Sequence, residues 1–304
     1  MPSNILLTGG SGLLALNWAA EIRDRHKIVL GLHERSVVLS GVEAQKVDLE
    51  SADGLARTIE AGKFDLVIHT AGFTSVEECE ARPDHAWHAN VQLASNVAAA
   101  CAGTGSLLVH ISTDHLFSGN EIRVSEDHPV APQNVYGRTK AEAERQVLAI
   151  NPNALVVRTN FYGWGTRYRN SFSDAILGRL RSGAEISLFS DVFYTPSLIE
   201  VIVRAVHDLV RLKARGVYHV AGDERLSKHE FGLRIAKAFG LDSGLIKSGM
   251  FASQEALVRR PFDMSLSNEK ISKLLDRKLG GVDEQLDRLR RQEEDGLARE
   301  LRQL

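Results

Sequence analysis

Short apolar runs alternate with longer amphipathic stretches through the first half of the chain, and that rhythm predicts a parallel β-sheet with helical crossovers. Strands are expected at Ile5–Thr8, Ile28–Leu32, Gln45–Asp48, Leu66–Thr70, Leu107–Ser112 and Leu155–Thr159. Their near-continuous Val, Ile and Leu content is that of strands covered on both faces. Helical spacing fills residues 12–25, 51–61, 83–103 and 134–149 between them. After Arg158 the rhythm changes. Glycine and aromatic residues cluster in Asn160-Phe161-Tyr162-Gly163-Trp164-Gly165, helices are predicted near 170–182 and 197–212, and Val217–Val220 reads as a strand able to rejoin the sheet. The last stretch, Asp283–Leu304, is charged and helical, with Glu284 and Arg288, and Asp287 and Arg291, at four-residue spacing. Leu286, Leu289, Leu297, Leu301 and Leu304 form a broken apolar stripe, so this helix is expected to dock on the body.

Composition narrows the class without naming it. The 304 residues, 43% of them hydrophobic, suffice to bury a sizeable core. Lys and Arg number 37 against 39 Asp and Glu, a net charge of −2, which gives no long-range attraction to nucleic acid or an anionic membrane. Two cysteines, Cys79 and Cys101, lack the spacing of a metal site and suit a reducing compartment. No apolar run approaches the roughly 18 residues of a membrane span, and no cleavable signal is read at the N-terminus, so a cytoplasmic location is expected.

Chemistry enters at Thr8-Gly9-Gly10-Ser11-Gly12-Leu13-Leu14-Ala15, which follows the first strand and opens the first helix. Gly10-x-Gly12-x-x-Ala15 fits the Ala-ended dinucleotide fingerprint, in which glycines let the backbone approach a pyrophosphate held at the helix N-terminus. Gly9, Ser11, Gly12 and Leu13 are therefore candidate cofactor contacts. At the end of the second strand the chain reads Leu32-His33-Glu34-Arg35-Ser36. Glu34 aimed at a ribose 2′-hydroxyl would select NAD(H). By spacing, His33 takes that slot, with Arg35 and Ser36 available to a 2′-phosphate, which favours NADP(H) and leaves NAD(H) open.

Tyr136-Gly137-Arg138-Thr139-Lys140 lies in a helical stretch, where four-residue spacing puts Tyr136 and Lys140 on one face. An ammonium beside a phenol favours phenolate, so Lys140 is expected to lower the Tyr136 pKa. A tyrosine so tuned protonates a developing alkoxide or deprotonates an alcohol. Thr113, just past the fifth strand, is placed to hydrogen-bond the reacting oxygen.

Together with Asp48-Leu49, Thr70-Ala71-Gly72 and Arg158-Thr159-Asn160, these segments resemble the extended short-chain dehydrogenase/reductases, and within them the dTDP-4-dehydrorhamnose reductase branch. Thr74–Glu80, Ser112–Phe117, Pro132–Gly137, Asp191–Pro196 and Arg259–Leu266 carry the likeness, which runs from about residue 4 to 275. The resemblance implies an α/β, Rossmann-type doubly wound sheet with a smaller C-terminal lobe. Residues 1–160, rejoined by 191–220, would bind the dinucleotide, and 161–304 mainly the substrate. It implies reduction of the 4-keto group of a nucleotide-linked 6-deoxysugar, with Thr113, Tyr136 and Lys140 catalytic. Asp48 and Leu49 would flank the adenine; Ala71, Gly72, Thr74 and Asn90 would lie along the cofactor groove; Thr74, Val76, Asp114, Phe161 and Arg260 would face the substrate. Where that branch commonly has Arg-Thr-Ser-Trp, this chain has Arg158-Thr159-Asn160-Phe161. A sugar-nucleotide epimerase would use the same Tyr136 and Lys140, and the fold also serves as a non-catalytic regulatory subunit. A homodimer through the long helices is a further expectation of the resemblance.

Other polar features carry less. His85 and His88, three apart beside an acidic stretch, have no third ligand, so no metal is expected. His69 and His110 end buried strands and read as core histidines or as cofactor neighbours. Trp164 reads equally as packing or as a stacking surface for the substrate.

Overall fold

Parallel strands whose order reverses at the first strand organise the molecule. The computed structural model describes residues 4–254 and 257–304. Strands β1 (Asn4–Thr8), β2 (Lys27–Leu32), β3 (Glu43–Lys46), β4 (Leu66–His69), β5 (Leu107–Ile111) and β6 (Leu155–Arg158) come first. Short strands β7 (Phe161–Tyr162), β8 (Ile186–Phe189), β9 (Phe193–Tyr194) and β10 (Ser197–Leu198) follow, then β11 (Gly216–His219), β12 (Leu226–Ser227) and β13 (Ile246–Gly249). Seven of these make one sheet in the order β11-β6-β5-β4-β1-β2-β3, every neighbouring pair parallel. From β1 the chain builds outward to β2 and β3, then returns to lay β4 on the other side. The crevice at the C-terminal ends of β1 and β4 is therefore the place where such sheets bind ligands.

Helices cover both faces. In chain order they are α1 (Leu13–Ile22), α2 (Ala52–Gly62), α3 (Val76–Ala81), α4 (Pro83–Trp87), α5 (Leu93–Thr104), α6 (Val135–Ile150), α7 (Phe172–Arg181), α8 (Ile199–Arg211), α9 (Lys228–Phe239), α10 (Glu269–Leu275), α11 (Val282–Glu294) and α12 (Leu297–Arg302). Leu55, Val97, Ala143 and Val147, from α2, α5 and α6, pack on one side of the sheet with Leu6, Val67 and Val156. The other side and the C-terminal elements share one larger core, from Leu16 and Trp18 through Ile202 and Val206 to Leu286 and Leu301.

The sheet and the covering helices follow the hydrophobic pattern, with three differences. The third strand lies at Glu43–Lys46, and all four residues are exposed, because it is an edge strand paired only with β2. The helix expected over 83–103 is present but is not uniformly α-helical. Arg82, displaced from helical geometry (φ −136°, ψ 67°) before Pro83, separates α3 from α4. A π-helical turn at His88–Gln92 then joins α4 to α5. The terminal helix is divided in two at Gly296 (φ 92°). It docks as expected, with Leu286, Leu289 and Leu301 fully buried.

Candidate active site

The nucleotide turn is built by close approach. Gly9 takes φ +70°, and a Cβ there would lie 2.7 Å from the Ala71 backbone nitrogen, so only glycine lets the β1 and β4 loops touch. Gly12 is the N-cap of α1 and supplies no side-chain cap, leaving first-turn N–H donors directed at the crevice. A cavity of about 620 Å³ opens there. It is lined by Gly9, Ser11, Gly12, Leu13, His33, Arg35, Ala71, Gly72, Thr74, Tyr136, Lys140 and Phe161 among the residues singled out from the sequence. An uncapped helix N-terminus, a glycine-cleared approach and a guanidinium along one groove fit a phosphorylated dinucleotide.

Tyr136 and Lys140 face this cavity from the first turns of α6 and are both buried. Asn134 caps the helix, its Oδ1 accepting from the Gly137 N–H at 2.9 Å, and its Nδ2 donates to the Arg259 carbonyl at 3.0 Å. Gly137 is required because a Cβ would sit 2.5 Å from the His115 carbonyl oxygen. This contact seats α6 on the loop that follows β5.

The expected electrostatic relation between the pair is not what the geometry provides. Burial pushes the Tyr136 phenol up to about 12, with a hydrogen bond from Thr113 working in the opposite direction. Lys140 donates to the Ile111 carbonyl at 2.7 Å, so its charge is directed at the end of β5 rather than at the phenol. Burial also brings Lys140 down to about 8, against the pull of nearby Glu144. Behind Lys140, His69 and His110 stack with centroids 5.4 Å apart. Burial chiefly, and Lys140 secondarily, keep both neutral, His69 at about 3. His69 Nδ1 meets Thr8 Oγ1 at 2.7 Å, while neither ring nitrogen of His110 has a hydrogen-bond partner among the described residues.

The remaining candidates lie outside the cavity lining. Thr113 and Asp114 are buried just past β5, Thr113 Oγ1 donating to Asp114 Oδ1 at 3.3 Å, and Asn160 donates to Asp114 Oδ2 at 2.7 Å. Asn90, on the π-helical turn, accepts from the Phe73 N–H (2.7 Å) and donates to the Phe73 carbonyl and Thr139 Oγ1 (both 3.0 Å). It thereby braces the loop after Gly72 against α6. Val76 packs with Tyr136 and Cys79. Arg260 is ion-paired with Glu77 and lies over the Phe251 ring. Ser36 is exposed beyond β2. Asp48 is exposed and accepts from the Glu50 N–H at 2.8 Å, while Leu49 packs partly buried against the core and its carbonyl accepts from Asn96 at 2.9 Å. Trp164 is fully buried, edge-on to Phe239, and is packing rather than a stacking surface. His88 is engaged by Gln92 and Glu50, and no cluster of three or more metal-ligating side chains occurs among the described residues.

Sequence reasoning missed part of the site. Tyr168, Arg169, Asn170 and Ser171, from the segment before α7, and Phe172, its first residue, complete the cavity. Lys228, the first residue of α9, has its ammonium 3.3 Å from the Tyr194 ring centroid; burial lowers it to about 8, with Asp114 opposing. No periodicity or local motif marks these residues, because their partners lie in distant parts of the chain.

The sequence model of the RmlD substrate binding domain matches residues 3–293. The chain belongs to that family. Among its relatives is a probable low-salt glycan biosynthesis reductase of Haloferax volcanii, 29% identical over 84% of this chain and 86% of that protein. Another is the dTDP-4-dehydrorhamnose reductase of Mycolicibacterium smegmatis, 30% identical over 80% of this chain and 71% of that protein. The dTDP-4-dehydrorhamnose reductase of Bacillus anthracis, solved in complex with NADP, superposes with a TM-score of 0.84 over 96% of this chain and 100% of that one, at 23% identity. The family and the doubly wound α/β fold expected from the sequence are thus both found. No helix among the described residues is long and apolar enough to cross a membrane.

Proposed function

We propose that this protein is an NADP(H)-dependent oxidoreductase, with NAD(H) as a second acceptable cofactor, that reduces the 4-keto group of a nucleotide-linked 6-deoxysugar as a dTDP-4-dehydrorhamnose reductase does. The observation that carries this reading is the pair Tyr136 and Lys140 on one wall of a groove whose other wall is the uncapped N-terminus of α1. The reduced nicotinamide, when bound, supplies the hydride. The chain's own residues do the rest. Gly9, Ser11, Gly12 and Leu13 hold the pyrophosphate with backbone N–H groups and the positive end of α1. Lys140 binds the nicotinamide-side ribose, and Thr113, Asp114, Thr74, Phe161 and Arg260 orient the sugar nucleotide.

Tyr136 is protonated at neutral pH, the state a proton donor needs. As the carbonyl carbon gains hydride, its oxygen takes the Tyr136 proton; the hydrogen bond from Thr113 favours the phenolate left behind, while Lys140, still mostly charged at pH 7 with a pKa of about 8, holds the ribose. Buried Cys79 and Cys101, both free thiols, fit the reducing conditions of the cytoplasm.

The test is NADPH absorbance with the purified protein and a panel of nucleotide-linked 4-keto-6-deoxysugars. Oxidation by the wild type that falls by about 10²–10⁴-fold in Tyr136→Phe supports the assignment. Tight NADPH binding with no turnover across the panel would refute it and direct attention to a regulatory role with a protein partner.

A further inference from the structure

We propose that Tyr168 sets the preference for NADP(H) over NAD(H), by holding the Arg35 guanidinium where a ribose 2′-phosphate would lie. This rests on reading the groove as a nicotinamide dinucleotide site. Arg35 follows β2 at the groove's edge, and its Cζ stands 3.7 Å from the centroid of the Tyr168 ring. Arg35 forms no ion pair with any described residue, Glu34 included. A guanidinium lying face-on to an aromatic ring keeps its N–H edge free, and that planar fork matches a phosphate. Without the ring, an exposed arginine on a loop would sample many rotamers and would have to be ordered by the ligand itself.

Tyr168 is held in turn. Its hydroxyl donates to the Ser11 carbonyl at 2.7 Å, inside the turn that opens α1. One ring therefore links the pyrophosphate turn to the residue that would read the 2′ position. The segment carrying it is pinned on both sides. Thr166 and Arg169 exchange backbone hydrogen bonds of 2.9 and 3.3 Å, and the Gly165 N–H donates to Asp174 Oδ2 at 2.6 Å. Arg169 Nη2 donates to Thr74 Oγ1 at 2.8 Å across the groove. Tyr168 is a positioning residue: it acts on the cofactor through Arg35, from a segment 133 positions further along the chain.

Calorimetric titration of the full chain with NADPH, NADH, 2′,5′-ADP and 5′-ADP tests this. The wild type is expected to bind the two 2′-phosphorylated ligands more tightly. Tyr168→Ala should weaken those two by about tenfold and leave NADH and 5′-ADP within about twofold. Arg35→Ala should lose at least as much selectivity, and the double variant no more than Arg35→Ala alone. An equal loss for NADPH and NADH in Tyr168→Ala would make the ring a general strap and overturn the proposal, as would unchanged selectivity in Arg35→Ala. Should Tyr168→Ala melt early, Tyr168→Leu carries the test, since it keeps apolar bulk but removes the ring face under Arg35, and the same selective loss is expected. Failure of the wild type to bind any of the four ligands would instead sink the reading of the groove, a result distinct from binding without selectivity.

Discussion

At Tyr136, burial and chemistry pull in opposite directions. A phenol buried against Val76 and Cys79 resists ionisation, and the ammonium expected to offset that is bonded to the Ile111 carbonyl instead. Both residues were legible in the sequence from their spacing, but the target of the ammonium was not, because it is set by how α6 sits over the end of β5. The consequence is a pH dependence that belongs to Lys140. Its pKa of about 8 means that it is charged below that value and loses its proton as the pH rises through it. With saturating substrate, the rate of NADPH oxidation is expected to fall on the alkaline side of pH 8. Lys140→Met should be slower by on the order of 10²-fold and should lack that fall. An alkaline limb of unchanged position in the variant would assign it to another group.

At the scale of elements, α6 is the part on which the site depends, and it is fastened at its start and again at its middle. Asn134 and Gly137 seat its start, while Glu144, two turns on, forms a buried ion pair with Arg158 at the end of β6. The shortest contact of that pair is 2.7 Å, and Arg158 Nη1 also reaches His219 Nε2 on β11 at 3.3 Å. Removing one charge leaves the other buried without its partner. Arg158→Met is therefore expected to cost about 3–5 kcal/mol in urea denaturation, and adding Glu144→Leu should recover most of it. An unchanged urea midpoint in the single variant would show that the pair contributes nothing to holding α6. The sequence announced α6 and β6 separately by their periodicities. Pairing Glu144 with Arg158, 14 positions apart, required knowing how α6 packs against β6 after the turn from helix to strand.

Across the whole molecule, the C-terminal helices close the structure on its N-terminal half. Arg23 on the α1 side holds Glu300 with two contacts of 2.6 and 2.8 Å, and Arg181 holds Glu293 at 2.7 Å. Such partly exposed pairs contribute modestly. The leucine stripe contributes more, because Leu286, Leu289 and Leu301 are fully buried in the larger core. Leu286→Ala is expected to lower unfolding stability by about 2–5 kcal/mol, read from the urea midpoint. A change within experimental error would mean that the stripe faces a partner rather than the core. The strands, the covering helices, the nucleotide turn and the Tyr136–Lys140 pair were all readable from local order along the chain. Each is encoded by residues within one or two turns of one another, where periodicity and spacing express geometry directly. The π-helical turn at His88–Gln92, the burial of Trp164 and the arrival of Tyr168 beside Arg35 were decided by tertiary structure. They depend on which distant surfaces meet once the sheet has closed, and no local pattern of side chains carries that information.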